Sequence, residues 1–443
     1  MTKSGVTSDL IKGVSFSSQG ETLIPIGHNG KPLRKAIVWL DNRSAEEAKE
    51  IKEKFGEQYI MDITGQAEIV PMWPATRILW LRKNEPEIYN QVKKYLLVED
   101  YIIYKMTGRY CTEHSLVSST LFFDIRKKVW WDEMLDFIGI NKNQLPELLK
   151  SGTPAGKLTP EAAGAAGLST DTECVTGSYD HPAGALGSGN IHSGDVTLTI
   201  GASMAMCAAI STPVSDLSIK LPCQCHAIDG LYFLQPYAQT AGMVLKWFKD
   251  EFCQQETKEA EQKGIDVYDL IAGYAESIVP GSNGLVMLPH LMGTGSPEFN
   301  PKATGVFAGI KMGMGKGHFI RAIMEAVCLM VHHNLETMKK MGIETGIIHA
   351  LGGASKNSLW NQMLADITGL PVTTLENTET SVTGACLLAG TGTGMFEDLE
   401  TACKISVKKS STYKPNAENQ KVYNETYRKY VSLYSSLENY WKF

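Results

Sequence analysis

No uninterrupted apolar run in this chain approaches the roughly 20 residues that a membrane-spanning helix needs, so a place within a bilayer is not expected. Positive charge is not in excess either: 42 Lys and Arg stand against 48 Asp and Glu, a net charge of −6. That balance excludes the concentrated basic face of a nucleic-acid binder, and no block of one sign suggests a charged tail. The nine cysteines are an odd number, scattered without a framework spacing, so reduced thiols in the cytoplasm are expected rather than disulfides. The opening Met1-Thr2-Lys3-Ser4-Gly5-Val6 lacks an apolar signal-peptide core, which points the same way. Short-period repeats and low-complexity tracts are also missing. What remains is ordinary for a globular protein: 43% hydrophobic and 20% charged residues over 443 positions, a length that favours two domains or more.

Only Cys223-Gln224-Cys225-His226 looks superficially like a metal cluster. No second ligand pair has zinc-site spacing, so no metal is assigned to it. Alternation in a strand would put Cys223 and Cys225 on one face instead, before a hairpin turn at Asp229-Gly230.

The first half mixes strands with amphipathic helices. Val14 to Ser17 and Ala36 to Trp39 read as strands, with a turn at Asn29-Gly30. Ser44 reads as the cap of a helix running to about Phe55, with Glu46 and Glu47 in its first turn. Residues 86 to 107 read as helix, ended by Gly108. A Gly/Pro/Ala-rich passage from Ser151 to Leu168 approaches a domain boundary. In the second half, Val196 to Ile200 is a strand, broken by Gly201-Ala202-Ser203 before a second strand to Ile210. Ile320, Ile323, Met324, Val327, Val331, Leu335 and Met338 follow helical spacing between His318 and Lys339. Ile347 to Leu351 is a buried strand entering Gly352-Gly353, with a striped helix beyond. The architecture is two α/β lobes meeting near residue 175.

The chemistry centres on Gly177-Ser178-Tyr179-Asp180-His181-Pro182, where a short strand (Cys174-Val175-Thr176) feeds a glycine turn and a carboxylate at a helix mouth. Phosphoryl transfer asks mainly for positioning and charge stabilisation, with a carboxylate to orient and finally accept the hydroxyl proton. Asp180 suits that role; the bland alternative is a helix cap. Gly201-Ala202-Ser203 could place backbone N–H groups around a phosphate, although glycine hairpin turns are common. Gly352-Gly353-Ala354-Ser355-Lys356-Asn357 would let a nucleotide approach the backbone, with Asn357 opening the next helix, and it fits neither the Walker nor the dinucleotide pattern. Gly305 to Gly309 adds a further small-residue approach. Near the start, Gln19-Gly20-Glu21 and Asp41-Asn42-Arg43 follow adjacent strand ends. They form either a polar cup for sugar hydroxyls or a solvated rim with an Asp41–Arg43 pair.

These pieces, in this order, resemble the FGGY family of carbohydrate kinases. The stretch Met72-Trp73-Pro74-Ala75-Thr76-Arg77 through Pro86 is similar to the family signature, with Arg77 where lysine is usual. Trp39 to Arg43, Thr107-Gly108, the Asp180 loop and the Gly352-Gly353 turn also match, so the resemblance runs from about Gly13 to about Met395. It implies two actin-like ATPase (ribonuclease H-like) lobes with a cleft between them. Residues 1–175 would be the sugar-binding lobe, lacking its first hairpin, and 176–443 the nucleotide-binding lobe. It implies Asp180 as catalytic base, and Gln19, Gly20, Glu21, Asp41 and Arg43 around the substrate. Gly201, Ala202, Ser203, Gly309, Gly352, Gly353 and Asn357 would line the nucleotide, with Ala202 replacing the usual threonine. Position 20–21 is Arg-Glu in glycerol kinases and Met-His in xylulokinases; Gly20-Glu21 is neither, which leaves the sugar open. ATP and Mg²⁺ are the implied cofactors, a small sugar or polyol the partner, and a homodimer is compatible. The family's opening Asp-x-Gly-Thr hairpin has no counterpart here. Either the sequence begins downstream of the natural start, or the protein is a degenerate, non-catalytic sugar- or partner-binding member of the fold. The intact site loops favour the first, and the expectation is an ATP-dependent, xylulokinase-like kinase in the cytoplasm. An ATPase of the chaperone type on the same fold is disfavoured by Trp39 to Arg43 and by the Met72 to Pro86 signature.

Overall fold

A computed structural model describes residues 5–442. Backbone contacts divide the chain into two units rather than at a single break near residue 175. The first comprises residues 1–193, 209–234 and 379–408; the second comprises 194–208, 235–378 and 409–443. The chain therefore returns to its first unit twice. The second return is explained by packing: helix Thr380–Gly392 lies along helix Asp180–Gly187. The approach is so close that a side chain at Gly187 would strike the Thr380 carbonyl, and one at Gly384 the Ala183 carbonyl. Glycine at both crossing points lets the two backbones touch.

In the first unit, Gly13–Val14 runs parallel to Glu173–Val175, which pairs antiparallel with Pro154–Lys157. Just beyond, Ser17–Ser18 runs parallel to Ser178–Tyr179, which delivers the chain into helix Asp180–Gly187. The strand expected at Val14 to Ser17 is thus two short pieces. Ala36 to Trp39 forms no strand; Ile37 makes one antiparallel bridge to Leu23, and a buried guanidinium (Arg77, below) donates to the Ile37 and Trp39 carbonyls as well. The helix expected over 86–107 is broken by strand Val92–Leu96, which pairs with Ile24–Gly27 and leaves helix Val98–Thr107 after it. Val92, Tyr95 and Leu96 are buried at a spacing that also suits a helix. Ser44 precedes helix Ala45–Phe55 but its side chain does not cap it. The hydroxyl turns instead to the Pro71 carbonyl and the Thr76 hydroxyl, both at 2.9 Å.

The second unit is built on strand Asp195–Ile200. It pairs antiparallel with Met204–Ile210 and parallel with Ile347–Leu351, as the glycine-punctuated pattern predicts, followed by Val372–Leu375 and Lys409–Tyr413. Helix Lys316–Lys340 carries the apolar stripe but is buried nearly all round, including Arg321 and Glu325. Those two pair at 2.9 Å, and Glu325 also accepts from Gly281 N–H, the Ser282 hydroxyl and the Tyr423 hydroxyl. A charge this deep is tolerated because its oxygens are satisfied. In the first unit, Asp229 and Gly230 are the central residues of a turn closed by Leu231 N–H on the Ile228 carbonyl, between strands Cys223–Cys225 and Tyr232–Leu234. Among the described residues no helix is long and apolar enough to cross a membrane.

Candidate active site

Arg77 organises the acidic cup of the first unit. Its side chain is fully buried, and its guanidinium donates to the carbonyls of Glu21 (2.7 Å), Ile37 (3.2 Å), Trp39 (2.9 Å) and Asp41 (3.3 Å). One cation thus ties together the two strand ends that the sequence marks as polar. Burial pushes its pKa down to about 10, which still leaves it charged at neutral pH. A planar five-donor fork can serve four carbonyls at once, whereas a lysine ammonium has only three donors.

Glu21 is held in this cup at 5% exposure, in a left-handed conformation (φ 51°) inside a tight turn closed by Thr22 N–H on the Gly20 carbonyl at 2.5 Å. Such a conformation is costly for a side-chain-bearing residue and is kept only where the surroundings insist on it. Gly20 has no alternative: a Cβ there would fall 2.7 Å from the Ser119 hydroxyl and 3.3 Å from the Tyr179 ring. The Glu21 carboxyl pKa is raised to about 7, first by burial and then by the Asp180 charge, against the opposing pull of Arg77 and a Ser119 hydrogen bond. Glu21 and Asp180 therefore share one electrostatic environment. Asp41 and Arg43 instead close on each other through two bonds of 2.9 and 2.7 Å, and Arg43 stacks over Trp80. The Arg43 hydrogen bonds hold the Asp41 carboxyl down at about 2. Gln19 is exposed.

Asp180 is the first residue of its helix; Tyr179 occupies the cap position, and no side chain caps that end. The capping alternative therefore does not account for it. One carboxylate oxygen, Oδ1, is buried without a protein partner, beside the positive end of the helix dipole. A carboxylate arranged this way stays free to take a proton.

The second unit encloses a cavity of about 390 Å³ between Gly201-Ala202, the N-terminal turns of helices Gly242–Phe252 and Val267–Glu276, and the Gly353–Asn357 turn, with Met324 and Trp360 among its apolar walls. Side chains added at Gly201 or Gly353 would meet nothing within 4 Å, so these glycines leave room that a bound group would occupy. Asn357 caps helix Ser358–Thr368 by accepting from Trp360 N–H at 2.9 Å. The N-terminal turns of three helices thus line one cavity, two of them capped by Asp266 and Asn357. The residues fit an adenine nucleotide. Of the positions singled out in the sequence, Gly201, Ala202, Gly353 and Asn357 meet here. Ser203 is the exposed next residue of the same hairpin, and Gly352 (φ 82°) packs on the Ile200 carbonyl just behind. Gly309 does not join them; it borders a separate groove with Gly284 and helix Ala417–Leu437.

Gly242 is the member that sequence reasoning missed. Its N–H bonds the Gly201 carbonyl at 2.9 Å, and Ala241 and Met243 bond Ala202, so the helix start and the hairpin are one structure. The available signal was a glycine opening an amphipathic helix after Thr240-Ala241. Ser119, Glu99 and Glu113 were missed as well, because Glu99 reaches Gly177, Glu113 reaches Ser151 and Ser119 lies against Gly20 and Glu21, all far apart in sequence. Among the described residues no three His, Cys, Asp or Glu side chains converge as a metal site. Cys223, Cys225 and His226 are buried.

The chain is similar to known proteins over nearly its whole length. The family model of the FGGY carbohydrate kinase N-terminal domain matches residues 1–187, and that of the C-terminal domain matches 196–393. The xylulose kinase of Bacillus subtilis (strain 168) is 30% identical over 432 residues, spanning 98% of this chain and 84% of that protein. The gluconokinase of Bacillus licheniformis is 32% identical over 432 residues, spanning 96% and 83%. Among solved structures, the ligand-bound xylulose kinase from Lactobacillus acidophilus superposes with a TM-score of 0.84 at 25% identity, covering 96% of this chain and 85% of that one. Plasmodium falciparum glycerol kinase with ADP shares the fold with a TM-score of 0.83 at 22% identity, over 96% and 84%. The fold is that of the actin-like ATPases. The chain belongs to the FGGY family of carbohydrate kinases and is an enzyme of that class. Kinases of this family use ATP, and a small sugar is the implied substrate.

Proposed function

We propose that this protein transfers the terminal phosphoryl group of ATP to a primary hydroxyl of a small uncharged sugar or polyol, in the manner of a xylulose kinase, with Asp180 as the base. The observation that carries this reading is the Asp180 carboxylate, first in its helix, with a buried unpartnered oxygen and the buried Glu21 beside it. The substrate oxygen forms its bond to the γ-phosphorus as the bond to the ADP oxygen breaks, and its proton passes to the Asp180 carboxylate. A weak base suffices, because little negative charge builds on the attacking oxygen in a loose transition state. Glu21 orients a neighbouring hydroxyl; with a pKa near 7 it can serve as acceptor or donor. Gly201-Ala202 and the Gly353–Asn357 turn hold the nucleotide through backbone groups. Magnesium, when bound, would neutralise phosphate charge, with most of its ligands drawn from phosphate and water.

The identities leave xylulose and gluconate kinases level as precedents, and the charges favour a neutral substrate. An aldonate would bring a third carboxylate to Glu21 and Asp180, while the Arg77 guanidinium is already spent on four carbonyls. Among the described residues the nine cysteines form no disulfide, which suits the cytoplasm. The test is a coupled ADP-release assay over ketoses, polyols and gluconate, with Asp180→Asn alongside. Turnover of a neutral sugar, lost by about 10²–10⁴-fold in the variant, is expected. Gluconate as the preferred substrate, or an active Asp180→Asn, would overturn the corresponding part.

A further inference from the structure

Asp180 stands one residue beyond a strand of only two residues, Ser178–Tyr179, too short to fix a side chain by its own ladder. Three consecutive backbone N–H groups lead up to it. Ser178 N–H bonds the Phe16 carbonyl at 3.1 Å, but its neighbours reach side chains. Gly177 N–H donates to Glu99 Oε1 at 2.7 Å, and Tyr179 N–H donates to the Ser115 hydroxyl at 3.1 Å. Ser115 gives its own proton to Glu113 at 2.7 Å, so its lone pairs face the strand. Glu113 is anchored in turn by Ser115 N–H, Leu116 N–H and the Ser151 hydroxyl. Glu99, Glu113 and Ser115 are all fully buried. Gly177 itself cannot carry a side chain, since one at that position would collide with the Phe16 carbonyl.

A fully buried carboxylate that accepts one amide bond while its Oε2 has no partner is a poor choice for stability alone; a well-packed apolar side chain would cost less. It makes sense where that single bond sets the aim of something that must be aimed. We propose that Glu99 is a positioning residue for phosphoryl transfer, holding the Gly177 turn, together with the Ser115–Glu113 brace on Tyr179, so that Asp180 meets the substrate hydroxyl in reacting geometry. This inference rests on the reading of Asp180 as the base. Sub-ångström errors in such an alignment are costly, with about 1 Å of displacement worth on the order of a hundredfold in rate.

The experiment measures kcat and both KM values for the full chain, normalised to folded protein by near-UV circular dichroism, in Glu99→Leu, Glu99→Gln, Ser115→Ala, Asp180→Asn and the Glu99→Leu/Asp180→Asn double variant. Glu99→Leu is expected to lower kcat by about 10–100-fold with KM values little changed, the signature of a misaligned group rather than lost binding. Glu99→Gln keeps an oxygen for Gly177 and should recover most of that loss. Ser115→Ala should fall between, and it carries the test if Glu99→Leu does not fold. The double variant should be no slower than Asp180→Asn alone, because two groups that act as a unit are not additive. A folded Glu99→Leu (or, failing that, Ser115→Ala) with wild-type kcat beside an inactive Asp180→Asn would refute the positioning role alone. Additive losses would do the same. Wild-type turnover by Asp180→Asn would instead remove the base, and this inference with it.

Discussion

Replacing Glu21 by glutamine should stabilise the protein at pH 8 and hardly at all at pH 4. The carboxyl pKa rises from 4.5 to about 7 on folding, because the site removes water and faces it with Asp180. Folded chains therefore hold this proton more tightly than unfolded ones. Between pH 4.5 and 7 the native state binds more protons, so unfolding free energy falls as pH rises through that window. Below the window Glu21 is neutral in both states and costs nothing. Above it the full penalty is present: about 2.5 pKa steps at 1.36 kcal/mol each, or about 3 kcal/mol. Glutamine has the same shape, can still meet the Ser119 hydroxyl and never ionises. Thermal unfolding of the first unit, followed by tryptophan fluorescence, should show the variant higher by roughly 6–12 °C at pH 8, taking about 2–4 °C per kcal/mol for a unit of this size. The gap should shrink to near zero at pH 4, below the window. Glu99, Asp100 and Glu113 are buried acids with raised pKa values too, but they are common to both proteins and cancel in the difference. An equal gap at both pH values would refute the argument, since simple repacking carries no pH dependence. The same substitution should raise KM for the sugar.

Three further outcomes test other parts of the molecule. Gly353→Val projects into open space on the cavity wall and should raise KM for ATP without changing thermal stability, measured by initial rates and a melting curve. Gly242→Ala should instead lower stability by about 1–3 kcal/mol, because its methyl group meets the Gly201 carbonyl; urea denaturation reads this directly. Glu325→Ala strands Arg321 in the core of the second unit, and a loss of about 3–5 kcal/mol in the same assay is expected.

Much of the molecule was legible in order along the chain. The strand–glycine–strand unit around Gly201, the strand into Gly352 and the long helix after Lys316 appear as read, since periodicity and glycine punctuation are local signals. Asp180 was legible as a carboxylate at a helix mouth for the same reason. Residues 92–96 were not: Val92, Tyr95 and Leu96 satisfy a helical stripe as well as a strand, and the pairing with Ile24–Gly27 tipped the balance. Gly309 shows the opposite error, a suitable glycine whose place depends on a helix more than a hundred residues later.

The sequence was enough to specify the local elements and, through its resemblance to the FGGY family, the class of carbohydrate kinase, because turns, helix starts and apolar stripes are written in neighbouring residues. Tertiary structure alone decided that Arg77 spends itself on four carbonyls, that Glu21 is buried beside Asp180, and that Gly242 rather than Gly309 lines one cavity with Gly201 and Gly353. Each of these is a contact between distant segments, set by which groups lose water together, and no local pattern encodes that.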